Sequence, residues 1–145
     1  MRVEVEVEVK PTEGTNKVMR ALNNFFNFDE LTTESFSQIT IIKGIIYRSN
    51  GLIKLYNALR KQLILDSARY YLKRGASTNM ITFYLNKQAA YMGFVSFCSI
   101  EYGESPLGSI KVTVYTNNIK EFIDWLTPKT IKGKPVFEAP PPDDP

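Results

Sequence analysis

Val3, Val5, Val7 and Val9 alternate with Glu4, Glu6 and Glu8. A period of two in which one set is uniformly apolar and the other uniformly charged is satisfied only by a half-buried strand, which Pro11 ends. The valine face requires an apolar cover, and the next segment supplies one. Val18, Ala21, Leu22, Phe25 and Phe26 recur at helical spacing, so a helix is expected from Thr15, placed as its N-cap, to about Asn27.

The rest of the chain alternates between the two periodicities. Asp29 to Glu34 reads as a polar loop, and Ile39, Ile41, Ile42, Ile45 and Ile46 form a β-branched run interrupted by Gly44, a second strand with a bulge or a bend. Between Leu52 and Arg74 two apolar faces conflict. Leu52, Leu55, Tyr56, Leu59 and Leu63 lie nearly opposite Ile64, Leu65, Ala68, Tyr71 and Leu72 on a continuous wheel. That segment is therefore two helices, or one sharply kinked, meeting near Gln62 to Asp66, with Ser49 capping the first and Gly75 ending the second.

Ile81 to Leu85 is the next strand, and Asn86 caps a turn or short helix over Lys87 to Met92. Strands follow over Phe94 to Ser99 and Ser109 to Thr116, with a loop at Glu101 to Leu107. Asn117 or Asn118 caps a last amphipathic helix through Trp125 and Leu126, closed by Pro128. Val136 and Phe137 suggest a short strand. The reading is an α+β fold: one two-layer domain over residues 1–138, a mostly antiparallel sheet of about five strands with about four helices packed on it, and a Pro/Asp-rich tail over 139–145.

Composition limits the chemistry. The chain has 145 residues and 43% hydrophobic content, enough for one core. No apolar run reaches the roughly 20 residues needed to cross a bilayer, and the charged N-terminus does not resemble a signal peptide. A cytoplasmic protein without membrane contact is expected. The single cysteine, Cys98, sits among apolar residues as a core filler. There is no histidine, which removes His-activated nucleophiles, His-ligated zinc and imidazole acid–base catalysis. Gly103 and Gly108 have P-loop spacing, but Ser109 and Ile110 stand where that motif needs Lys and then Ser or Thr. No cofactor and no catalysis are expected. An enzyme would need a pocket joining at least two of Glu101, Glu104, Asp66 and Glu121.

Charge is segregated. From Lys43 to Lys87 nine basic residues face the single acid Asp66, a net +8 in a chain of net +3, which leaves −5 for the remainder. Such a window attracts a polyanion, unless its members are snorkelling side chains on solvated helix faces. At its end, Asn86, Lys87 and Gln88 break off an apolar strand and offer hydrogen bonds and a fixed charge. Ala90 to Phe97 matches the RNP1 pattern of RNA-recognition motifs at Gly93, Phe94, Val95 and Phe97. Ala90 and Met92 replace its basic and first stacking residues, so it reads as a core strand.

Four blocks carry a resemblance: Phe83 to Ala90; Pro106, Leu107, Gly108 and Ile110; Asp124 to Pro128; and Gln62, Ile64, Leu65, Asp66, Ala68 and Arg69. Taken in their order along the chain, and spanning nearly all of it, they resemble the uncharacterised archaeal protein family numbered 0201. The resemblance implies an RNA-binding protein, with relatives predicted to accompany the archaeal exosome, and a fold like ribosomal protein L-five or double-stranded-RNA-binding domains. It implies no catalytic or ligand residues. A duplex-reading mode is not expected, because Lys87 stands alone where such domains cluster lysines at a helix N-terminus.

The expected partner is RNA, held at its phosphates by Arg60, Lys61, Arg69, Lys73, Arg74 and Lys87, with Asn86 and Gln88 adding hydrogen bonds. The alternative is a structural or adaptor protein that forms a homodimer or binds another protein through a strand edge, with Val3 to Val9 as the candidate edge.

Overall fold

The computed structural model describes residues 1–99 and 108–142. The loop expected at Glu101 to Leu107, with Gly103, Glu101 and Glu104, lies outside them, as does the end of the tail. Strand β1 (Arg2–Val9) is followed by α1 (Thr15–Asn23), the hairpin β2 (Glu30–Phe36) and β3 (Ile39–Ile46), and a 3-10 turn at Ser49–Leu52. Then come α2 (Ile53–Lys61), α3 (Leu65–Arg74), β4 (Met80–Asn86), α4 (Lys87–Tyr91), β5 (Phe97–Cys98), β6 (Ser109–Tyr115) and α5 (Ile119–Leu126). A small hairpin, β7 (Thr130–Ile131) and β8 (Lys134–Pro135), follows. The α+β class is as expected, with one more strand in the main sheet, which runs β2-β3-β1-β6-β4-β5 with every pair antiparallel.

The alternation in β1 translates directly into its place. Val3, Val5, Val7 and Val9 are at most 4% exposed and join Ile42, Ile46, Ile81, Phe83, Val112 and Val114 in the core. Glu4, Glu6 and Glu8 lie on the opposite face, which carries the charges. Because β1 pairs with β3 on one side and β6 on the other, it has no free edge. An adaptor role for Val3 to Val9 is thereby excluded.

Five local expectations are corrected. Asp29 to Glu34 is not a loop: Glu30 to Phe36 form a strand in register with β3, exposed along its whole length. Gly44 makes no bulge, since the pairing runs unbroken through Val5–Gly44 and Leu31–Gly44. The glycine is there because a Cβ would meet the Phe28 ring at 2.2 Å. Thr15 is the first helical residue of α1, whose N-cap is Gly14, and Ser49 starts the 3-10 turn rather than capping α2. The strand expected over Phe94 to Ser99 shortens to Phe97–Cys98.

The break between the two middle helices is confirmed. Leu63 sits at φ 58° between α2 and α3, and the turn throws its side chain outward, 76% exposed instead of buried with Leu59. Gly75 ends α3 as expected, for a specific reason: a Cβ there would lie 1.8 Å from the Thr82 carbonyl oxygen. Val136 and Phe137 lie just beyond β8 and are exposed. Ala139 packs on the core, so ordered contact runs one residue into the expected tail.

Candidate nucleic-acid interface

The basic residues of the window divide into those that hold the fold together and those that face solvent. Helix α5 has no basic residue in its last turn, which leaves the negative end of its backbone dipole without compensation from its own side chains. Arg60 and Arg69 supply it from α2 and α3. Arg60 donates to the carbonyls of Trp125 at 3.2 Å and Leu126 at 3.3 Å, forks onto the Glu138 carboxylate at 2.8 and 2.7 Å, and stacks 3.3 Å over the Tyr56 ring. Arg69 donates to Asp124 at 3.0 Å and to the Thr127 carbonyl at 2.8 Å. Both guanidinium groups are engaged by protein partners, and their side chains are only 17% and 12% exposed.

Lys87 is further removed from solvent. It is 3% exposed; its ammonium donates to the Glu8 carbonyl at 2.6 Å and to both oxygens of Glu13 at 3.0 and 3.2 Å. Burial pulls its pKa below the usual lysine value, and the hydrogen bond and charge of Glu13 oppose that pull. The lysine expected to touch phosphate therefore fastens α4 to the end of β1 and the loop before α1. Asn86 has a local job as well. Its side-chain oxygen accepts the Ala89 N–H at 2.8 Å, the N-cap that the sequence indicated.

Lys61, Lys73, Arg74 and Gln88 are exposed. Gln88 lines a hollow of about 390 Å³ between α1 and α4. Tyr70, Lys73 and Arg74 occupy one face of α3 at i, i+3 and i+4, where Arg74 donates to the Tyr70 hydroxyl at 2.6 Å and the Tyr70 ring is 54% exposed.

Lys73 also opens onto a second cavity, larger than that hollow. This cleft of about 690 Å³ lies between α3, α5 and the segment after α5. Arg69, Lys73, Lys120 and Lys129 bring four cations to it against one carboxylate, Asp124, and its apolar wall is Ile119, Ile123, Pro128, Val136 and Phe137. Asp124 is neutralised in place. Burial pushes its pKa up, but hydrogen bonds from Lys120 at 2.8 Å and Arg69 outweigh that and hold it below the usual carboxylate value. Phe137 is 69% exposed, so an aromatic face stands beside exposed lysines.

Sequence reasoning missed Lys120, Lys129 and Phe137, since all three fall outside the basic window. The available signal was the run Lys129, Lys132, Lys134 next to Phe137. The open sheet face offers a poor alternative. Its central strand presents Glu4, Glu6 and Glu8, Arg2 stacks on Tyr115 at 4.6 Å, and Arg2 and Lys43 each approach Glu4 at 3.7 Å. No group of three or more acidic, Cys or His side chains suited to a metal occurs among the described residues, and no helix there is long and apolar enough to cross a membrane. Of the carboxylates named for an enzyme, Asp66 is bonded by the Thr130 hydroxyl and Glu121 is exposed on α5.

An α+β domain with a cation-rimmed, aromatic-walled cleft is the class of molecule that fold and site define, and a family model described as RNA binding matches residues 2–116. Over 143 residues the chain is 46% identical to the UPF0201 protein of Sulfurisphaera tokodaii, covering 99% of this chain and 98% of that one. It is 45% identical over 144 residues to the UPF0201 protein of Pyrobaculum aerophilum, covering 99% of this chain and all of that one. The crystal structure of the UPF0201 protein from Methanococcus jannaschii superposes with a TM-score of 0.83 at 34% identity, over 94% of this chain and 100% of that one. The chain belongs to the archaeal UPF0201 family.

Proposed function

We propose that this protein binds RNA without catalysing a reaction, and that it holds a single strand in the cleft between α3 and α5. The observation that carries the reading is the meeting of Lys73, Lys120 and Lys129 with the exposed Phe137 ring around one cavity. Non-specific binders of single strands combine the same two elements, cations that track phosphates and aromatic faces on which bases stack. Tyr70 and Arg74 share with Lys73 one face of α3 at i, i+3 and i+4, and Lys61 at the end of α2 adds a further exposed charge. The match of residues 2–116 to an RNA-binding family model supports the partner class.

In this reading Arg60, Arg69, Lys87 and Asn86 position the elements that carry the site, and Gln88 is not part of it. The protein would serve as a cytoplasmic accessory to archaeal RNA processing. The test is fluorescence anisotropy with a labelled single-stranded RNA of about 12 nucleotides across a salt series. Five phosphate contacts, from Lys61, Lys73, Arg74, Lys120 and Lys129, give a slope of log affinity on log salt of about −3.5, at about −0.7 per contact. Salt-independent binding, or none at tens of micromolar protein, would overturn the reading.

A further inference from the structure

The two edges of the main sheet are built differently. At one end β5 is only two residues long, Phe97–Cys98, which is one way proteins blunt an edge. At the other end β2 runs for seven exposed residues with no lysine, no proline and no bulge. None of the usual protective devices except acidic side chains is present there. Leu31 and Phe36 in this strand are 45% and 54% exposed.

The free hydrogen-bonding groups of β2 follow from its register. Phe36 and Ile39 flank the two-residue turn Ser37–Gln38 and form the pair that exchanges hydrogen bonds within the hairpin. Alternation along an antiparallel ladder then directs the N–H and C=O groups of Leu31, Thr33 and Ser35 outward. A second copy of the same strand, antiparallel about a two-fold axis at Thr33, presents the complementary groups: Thr33 faces Thr33, and Leu31 faces Ser35 twice.

Charge selects this register over its neighbours. Centred on Thr33, the strand sets Glu30 opposite Phe36 and Glu34 opposite Thr32, with no like charges directly paired. A shift of one step toward the N-terminus, centred on Thr32, sets Glu30 against Glu34 twice. The opposite shift, centred on Glu34, sets Glu34 against Glu34. Directly opposed like charges destabilise a ladder, whereas a Thr–Thr pair favours it. We infer that β2 is a homodimerisation edge, through which two chains join their sheets into one continuous twelve-stranded sheet with both helical layers on the same side. The inference is independent of RNA binding.

Cysteine substitution reads both the dimer and its register. Residues of a hydrogen-bonded antiparallel pair have Cα atoms about 5.5 Å apart, inside the range a disulfide spans. Thr33→Cys, under mild oxidation of the full chain, is expected to give a covalent dimer in denaturing gels without reductant. Glu34→Cys is expected to remain monomeric, because two such residues would lie about 8 Å apart at ~3.4 Å per residue and ~4.8 Å between strands. The native Cys98 is buried and does not contribute to the cross-link. Light scattering of the unmodified protein should give twice the chain mass of 16.6 kDa, and Thr33→Lys, which sets two like charges across the axis, should return it to the monomer with an unchanged circular dichroism spectrum. A monomer at about 100 μM with no Thr33→Cys cross-link would overturn the inference. Cross-linking of Glu34→Cys in preference to Thr33→Cys would overturn the register.

Discussion

Replacing Lys87 with alanine separates a structural lysine from a surface one. The Lys87 and Glu13 side chains are 4% and 9% exposed, and removing the ammonium leaves the Glu8 carbonyl without that donor and Glu13 with the Lys10 N–H at 2.8 Å. Breaking a buried ion pair by deleting one partner costs about 3–5 kcal/mol, much of it from the charge left behind. Glu13 retains some access to water, which places the cost at the lower end, about 3 kcal/mol. For a domain of this size that corresponds to a fall in Tm of about 9 °C, at ~3 °C per kcal/mol. The assay is chemical and thermal denaturation of Lys87→Ala, together with a double-mutant cycle of Lys87→Met and Glu13→Gln. The double variant should recover at least 1 kcal/mol relative to the sum of the singles, because neither charge remains unpaired. A loss under 0.5 kcal/mol for Lys87→Ala, or additivity in the cycle, would refute the burial argument. It would also restore Lys87 as a candidate phosphate contact.

Asn86→Ala should cost about 1 kcal/mol in urea denaturation through loss of the cap on α4, with salt-dependent RNA affinity unchanged. Gly44→Ala should destabilise by about 1–3 kcal/mol, since its Cβ would overlap the Phe28 ring; Phe28→Ala in the same chain should remove that penalty, leaving only its own cavity cost. The folded-state pKa of Glu138 is held below its ordinary value of 4.5, first by the hydrogen bond from Arg60. Its contribution to stability is therefore present above about pH 4.5 and lost as pH falls below it. In thermal melts, the gap between the unmodified protein and Glu138→Gln should accordingly be full at pH 7 and shrink through pH 4 to 3.

Much of the scaffold could be read along the chain because its signals are local. The valine–glutamate alternation gave β1, and the conflict between two apolar faces gave the break at Leu63. Strand β2 was not readable, since all seven of its residues are exposed and their order carries no alternation. Its conformation comes from pairing with β3. The site was less legible for a related reason. Charge counted along the chain treats Lys87, Arg60 and Arg69 as free, whereas their partners Glu13, Glu138 and Asp124 lie 74, 78 and 55 positions away. The same distance in sequence hid Lys120 and Lys129, which the fold brings beside Lys73 although they belong to a segment with no excess of charge comparable to the window.

The salt dependence of RNA binding in the triple variant Lys73→Ala, Lys120→Ala, Lys129→Ala tests the cleft most directly. Loss of three phosphate contacts should flatten the slope of log affinity on log salt by about 2, at about 0.7 per contact. Arg48→Ala, an exposed cation of the basic window that does not line the cleft, should leave the slope unchanged. An unchanged slope in the triple variant, or a change as large per residue in Arg48→Ala, would contradict the assignment of RNA to the α3–α5 cleft.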